Sequence, residues 1–153
     1  MTRTRRLDLL GALLRVVLGG VLLVAGALKV TNPGASALAV RAYQLLPYDL
    51  AGYVGYVLPV LEILVGILLV LGLFTRVASV AATLLMLAFV VGIVSAWARG
   101  LSIDCGCFGG GGQIGAEQTA YPLELARDGA LLLSAVWLTV RPRTAYALES
   151  RLD

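Results

Sequence analysis

The apolar positions of this chain form long, nearly unbroken stretches, not the alternating or one-faced patterns of soluble strands and helices. Three of them, at about residues 9–30, 53–74 and 77–98, are long enough to cross a bilayer, which takes about 20 helical residues. The first is interrupted by Arg15 and closed by Lys29, the second holds one charge, Glu62, and the third holds none. A fourth stretch, 130–140, is too short alone. It becomes adequate when its helix starts near Leu123, with Glu124, Arg127 and Asp128 as interfacial first turns. Pro122 suits that start, because its missing N–H has no helical partner there. The pattern predicts an all-α polytopic membrane protein: one domain over residues 1–153, a four-transmembrane-helix bundle with spans at about 9–30, 53–74, 77–98 and 123–140.

Composition agrees with lipid as the solvent. Of the 153 residues 59% are hydrophobic and 14% charged, where soluble domains carry about 25% charged residues. The net charge of +3 is too small and too scattered for nucleic acid. There is no histidine, which removes the commonest proton shuttle and metal ligand. No phosphate loop, nucleophile triad or internal repeat is present.

Arginine placement sets the orientation. Arg3, Arg5 and Arg6 precede the first span, Arg76 lies between the second and third, and Arg141, Arg143 and Arg151 follow the fourth. The positive-inside rule makes that shared side cytoplasmic, with both termini there. The longer segments 31–52 and 99–121, with Asp49, Asp104 and Glu117, then face outward from the plasma membrane of a bacterium. A competing reading makes the N-terminus a secretory signal cleaved near Ala25-Gly26-Ala27; the length of the apolar stretch and Arg15 inside it speak against cleavage.

The outward segment 99–121 holds the only cysteines, in Asp104-Cys105-Gly106-Cys107-Phe108 followed by glycines 109–112. Outside the cytoplasm such thiols tend to be oxidised. A bridge across one residue removes little entropy from the unfolded chain, and a strained bridge is readily reduced. Thiol–disulfide exchange by Cys105 and Cys107 is therefore the leading chemistry. Two thiolates binding Cu(I) is a second reading, and chance cysteines in a flexible loop a third. Zinc would need more ligands than the pair supplies, and no metal site is assigned. Which cysteine attacks is open: Asp104 disfavours a Cys105 thiolate, while Arg99 or Arg127 would favour one if brought near. The glycine run predicts an unusually mobile loop.

Ionisable groups inside spans are functional candidates. Glu62 falls near mid-bilayer, and Pro59 one turn earlier frees a backbone carbonyl. Arg15 lies at a depth that suits an ion pair with Glu62 across the bundle, against the alternative that it snorkels to the interface. Lys29 is expected near the outer surface, snorkelling. Ala78 with Ala82 and Ala88 with Gly92 give the third span a face for close packing.

In order along the chain, Arg15, Gly19 and Val24-Ala25-Gly26-Ala27-Leu28-Lys29 resemble the first helix of the MauE branch of the DoxX-like membrane proteins. So do Tyr43-Gln44-Leu45-Leu46-Pro47, Leu58-Pro59-Val60-Leu61-Glu62 with Gly66 and Gly72, Cys105-Gly106-Cys107-Phe108-Gly109, and Leu125-Ala126-Arg127-Asp128. The resemblance implies a four-helix membrane bundle associated with extracytoplasmic thiol redox. In the namesake methylamine pathway it implies maturation of, or disulfide formation in, the small methylamine dehydrogenase subunit. More distant DoxX proteins are linked to quinones, which makes a quinone the cofactor candidate, near Arg15, Lys29 and Glu62. The expected partner is an extracytoplasmic thioredoxin-like or disulfide-dependent protein. Two other classes remain open: a non-catalytic assembly factor, and a small transporter or quinone-linked subunit built on Glu62 and Arg15.

Overall fold

The computed structural model describes residues 2–152. Its helices are α1 (Arg3–Val30), α2 (Pro33–Ala42), α3 (Tyr48–Leu71), α4 (Thr75–Ala98), α5 (Tyr121–Val140) and α6 (Glu149–Leu152). At a rise of about 1.5 Å per residue, the 28 residues of α1 and the 24 each of α3 and α4 exceed a hydrocarbon core of about 30 Å. These three are long and apolar enough to cross a membrane. α5, with 20 residues, packs on α4 and α1 and completes a bundle of four long helices. Leu13, Leu64, Val77, Leu84 and Leu133 stand exposed on its outside, an apolar belt that soluble monomers rarely show. The chain is an all-α membrane protein.

Most of the segment 31–52, expected as the first long loop, is helical: α2 takes Pro33–Ala42 and α3 begins at Tyr48. The Asn32 side chain accepts from the Ala35 N–H at 3.2 Å, and Pro33 opens α2, a cap and first residue that suit a helix start. α2 is docked by a consequence of Pro59. Proline in a helix leaves the carbonyl four residues back without its donor, here that of Gly55. Ser36 Oγ of α2 donates to it at 2.6 Å, satisfying a group that lipid could not.

α1 and α3 approach to backbone contact. A Cβ on Gly19 would lie 2.9 Å from the Gly66 carbonyl oxygen, and one on Gly26 2.8 Å from that of Pro59. Such small-residue contacts drive helix association where lipid removes the hydrophobic incentive. They also fix the antiparallel register, with Gly19 level with Gly66 and Gly26 level with Pro59 and Glu62. Leu18, Leu22, Leu69, Met86, Ala135 and Leu138 fill the core, joined by Ala78 and Ala82 of α4. Gly92 instead leaves room for the Tyr43 ring, which a Cβ there would meet at 3.4 Å.

The two ends of the bundle are closed differently. At one, Gly72 with φ 70° ends α3 by donating to Leu68 and Leu69, a left-handed cap. The C-terminal tail folds back over that turn: the N–H groups of Leu148, Glu149 and Ala145 donate to the carbonyls of Leu71, Gly72 and Asp8. At the other end a short antiparallel ladder pairs β1 (Ile103–Asp104) with β2 (Gly112–Gln113). Its turn holds both cysteines. The Tyr121 hydroxyl anchors the ladder, accepting from the Ile103 N–H at 3.2 Å and donating to the Leu101 carbonyl.

Candidate thiol site and its buried charges

Both thiols are free, Cys105 partly accessible and Cys107 buried. Gly106 takes φ 71°, a conformation natural to glycine. That turns the chain so that the Cys107 N–H donates to Cys105 Sγ at 3.3 Å. The first turns of α5 supply the remaining partners. Arg127 Nη2 donates to Cys105 Sγ at 3.7 Å, while its Nε pairs with Asp128 Oδ1 at 2.8 Å. Cys107 Sγ lies between Cys105 and Asp128, whose Oδ2 it reaches at 3.8 Å. From the end of α2, the Tyr43 hydroxyl donates to the Cys105 carbonyl at 3.0 Å. Arg99, the other arginine considered for this role, donates instead to the Tyr43 carbonyl and to Ser95.

This arrangement makes the two thiols unequal. A hydrogen bond from the Cys107 side chain, helped by the Cys107 N–H and by Arg127, holds Cys105 below the usual thiol range against its partial burial. Cys107 is pushed far above that range by giving its proton to Cys105, by burial, and by the negative charges of Cys105 and Asp128. Burial first, and then the charge of the neighbouring cysteines, raises Tyr43 as well, so its hydroxyl stays a neutral donor. Asp104, Cys105 and Glu124 place their ligand atoms within 4.8 Å of one another, and these are the residues that could hold a metal here. That set is one thiolate and two carboxylates, unlike the two-thiolate Cu(I) site considered from the sequence.

The glycine run lies against the bundle. A Cβ on Gly109 would meet Leu28 at 3.3 Å, and Gly111 lies on Ala39 of α2. The glycines that suggested a mobile loop are what let it seat this closely.

The charges inside the bundle pair differently from the expectation. Glu62 meets Lys29, not Arg15: Lys29 Nζ donates to Glu62 Oε1 at 2.7 Å, with relative exposures of 4% and 0%. The α1–α3 register is the cause. It sets Glu62 beside Gly26, one turn from Lys29, whereas Arg15 lies about 21 Å farther along α1 at helical rise. Lys29 therefore does not snorkel; it is buried beside the Phe89 ring, 5.0 Å from its centroid. Arg15, 2% exposed, reaches the Ala145 carbonyl of the tail at 3.5 Å and packs against Gly72. The trio Arg15, Lys29 and Glu62 is thus two sites at opposite ends, and only the Lys29–Glu62 pair lies toward the cysteines. Tyr43 and Asp128 were not singled out from the sequence as site residues. Asp128 carried a usable signal, an ionisable side chain at the start of an apolar helix.

A membrane bundle with an unequal thiol pair at one end and a buried lysine–glutamate pair beneath it defines the class of protein. The family described as "Methylamine utilisation protein MauE" matches residues 7–141, and the chain belongs to that family. No curated protein and no solved structure matches it.

Proposed function

We propose that this MauE-family membrane protein carries out thiol–disulfide exchange with an extracytoplasmic partner, Cys105 being the exchanging thiol and Cys107 its internal counterpart. The observation that carries the reading is the inequality of the pair: Cys105 is partly accessible and receives the Cys107 N–H and Arg127, whereas Cys107 is buried on Asp128. In this reading α1, α3, α4 and α5 are the four spans, both termini are cytoplasmic, and the cysteine loop faces outward from a bacterial plasma membrane, as the arginine distribution favours. The partner is a thioredoxin-like or disulfide-dependent protein. The family's description, methylamine utilisation protein MauE, supports methylamine utilisation as the setting of this protein.

The exchange balances without further groups. A thiolate of the reduced partner attacks the Cys105–Cys107 bridge and joins Cys105 in a mixed disulfide, and Cys107 leaves and takes a proton. The partner's second thiolate then attacks that bond, the partner departs oxidised, and Cys105 remains as a thiolate beside Arg127. Two electrons have moved from the partner to this pair. Stabilising the reduced thiolate makes a pair more oxidising, which supports this direction.

Trapping of mixed disulfides in cells with single Cys→Ser variants tests it. An acid-quenched mixed disulfide through Cys105 forms in the wild type, and Cys105→Ser or Cys107→Ser, each lacking the bridge that the partner attacks, abolishes it. Adducts undiminished in both variants overturn the reading. A double Cys→Ser protein that still matures its partner would make this an assembly factor.

A further inference from the structure

The chain between α2 and α3 turns sharply. Gln44 takes φ 53°, a left-handed conformation uncommon outside glycine, and the next two residues, Leu45 and Leu46, stand exposed. They rim a cavity of about 340 Å³ between α2, α3 and α4, near the lower end of the roughly 300–1,000 Å³ of small-ligand sites. On its α4 side Ala88 and Gly92 line it, residues too small to fill the space. Cys105 and Gly106 of the thiol loop complete the wall, so the cavity adjoins the place where the proposed exchange occurs.

Its few polar groups are already engaged. Ser36 and Tyr43 donate their hydroxyl protons to the Gly55 and Cys105 carbonyls. Lys29 is paired with Glu62 at 2.7 Å, which makes the two neutral as a unit. A charged side chain entering here would give up its hydration with no free counter-charge to meet, which is costly. An apolar side chain would instead leave water for contact with Leu58, Phe89 and Val91, which is favourable.

Covalent geometry decides what comes to this cavity. In a mixed disulfide the Cα of the partner's cysteine lies about 4.4–6.8 Å from that of Cys105. The next Cα along the partner's chain is about 3.8 Å further. Both neighbours of that cysteine are therefore held within about 11 Å of Cys105, beside the cavity that Cys105 itself lines. We infer that the cavity between α2, α3 and α4 receives a large apolar side chain, leucine or phenylalanine, adjoining the attacking cysteine of the partner. The inference rests on the exchange function proposed above and names the class of sequence it acts on. The cavity selects the partner, and the thiol pair carries out the exchange.

The test uses the full chain in lipid nanodiscs, with the Cys105–Cys107 bridge formed chemically, and short dithiol peptides as the partner. The peptides are identical except for phenylalanine, leucine, alanine or glutamate immediately before or after the attacking cysteine, and their oxidation gives kcat/KM. At one of those positions phenylalanine and leucine are expected to exceed alanine and glutamate by about tenfold or more, the range over which an apolar pocket discriminates. Ala88 and Val91 are exposed, so larger side chains there are compatible with folding. Val91→Trp and Ala88→Phe, which fill the cavity, bring the ratio close to one. Leu133→Trp, at an exposed position of α5, keeps it. If every peptide is oxidised at the same rate, the cavity inference falls and the exchange function stands. If no peptide is oxidised, both fall. An apolar preference that survives in both filled variants arises outside the cavity and overturns its assignment.

Discussion

Helix α1 buries two basic residues about 21 Å apart at helical rise, and they do opposite things. Lys29 meets a carboxylate, Glu62, at 2.7 Å, and borders a cavity that also touches a thiol. Arg15 meets only a backbone carbonyl, that of Ala145 at 3.5 Å, and its Nε and Nη1 have no partner among the described residues. Both are equally hidden, yet only one stands among groups that can exchange protons or electrons. At the Arg15 end the neighbours are Gly72 and the returning tail. Burial of a charge identifies an energetic commitment; its partners decide whether the commitment is structural or chemical.

Breaking the Lys29 pair should have the largest effect. Lys29→Met leaves Glu62 buried and unpaired, and removing one partner of a buried pair costs roughly 3–5 kcal/mol. Thermal unfolding in detergent should fall accordingly, and the double variant Lys29→Met/Glu62→Leu should regain most of the loss. A single variant as stable as wild type would mean that the pair is not buried together.

Arg15→Met should cost less, about 1.5–3 kcal/mol for a hydrogen bond to a charged group. It should loosen the tail, read as faster proteolysis within residues 141–148. The reactivity of Cys105 at the far end should not move. If it does, the two ends are coupled and the contrast between them fails.

The smallest effect sharpens the thiol end. Arg127→Gln removes a donor that favours the Cys105 thiolate, so the pKa of Cys105 rises and maleimide labelling near neutral pH slows several-fold. The labelling profile of wild-type Cys105 should begin at lower pH than that of an ordinary thiol, while Cys107 labels only upon unfolding. Equal profiles for the two cysteines would remove the asymmetry on which the exchange reading stands.

Much of the fold is legible in the sequence because hydrophobicity is summed locally. The apolar stretches mark α1, α3 and α4 without any knowledge of neighbours, although α1 begins earlier, at Arg3, and α3 at Tyr48. α2 escaped because Pro33–Ala42 is short and mixed, and its docking depends on Ser36 reaching a carbonyl freed by Pro59 on another helix. The cysteines announced themselves by spacing alone. Their inequality did not, because Arg127 and Asp128 lie more than 20 residues later in sequence and reach them only through the packing of α5.

The residue string alone determined that the solvent is lipid, that long helices form, and that the only thiols sit in one polar loop. Only the tertiary structure decided that Glu62 takes Lys29 and leaves Arg15 to the tail. The reason is register: two antiparallel helices can slide until the glycines at 19, 26 and 66 let their backbones touch, and that contact fixes which charges are level.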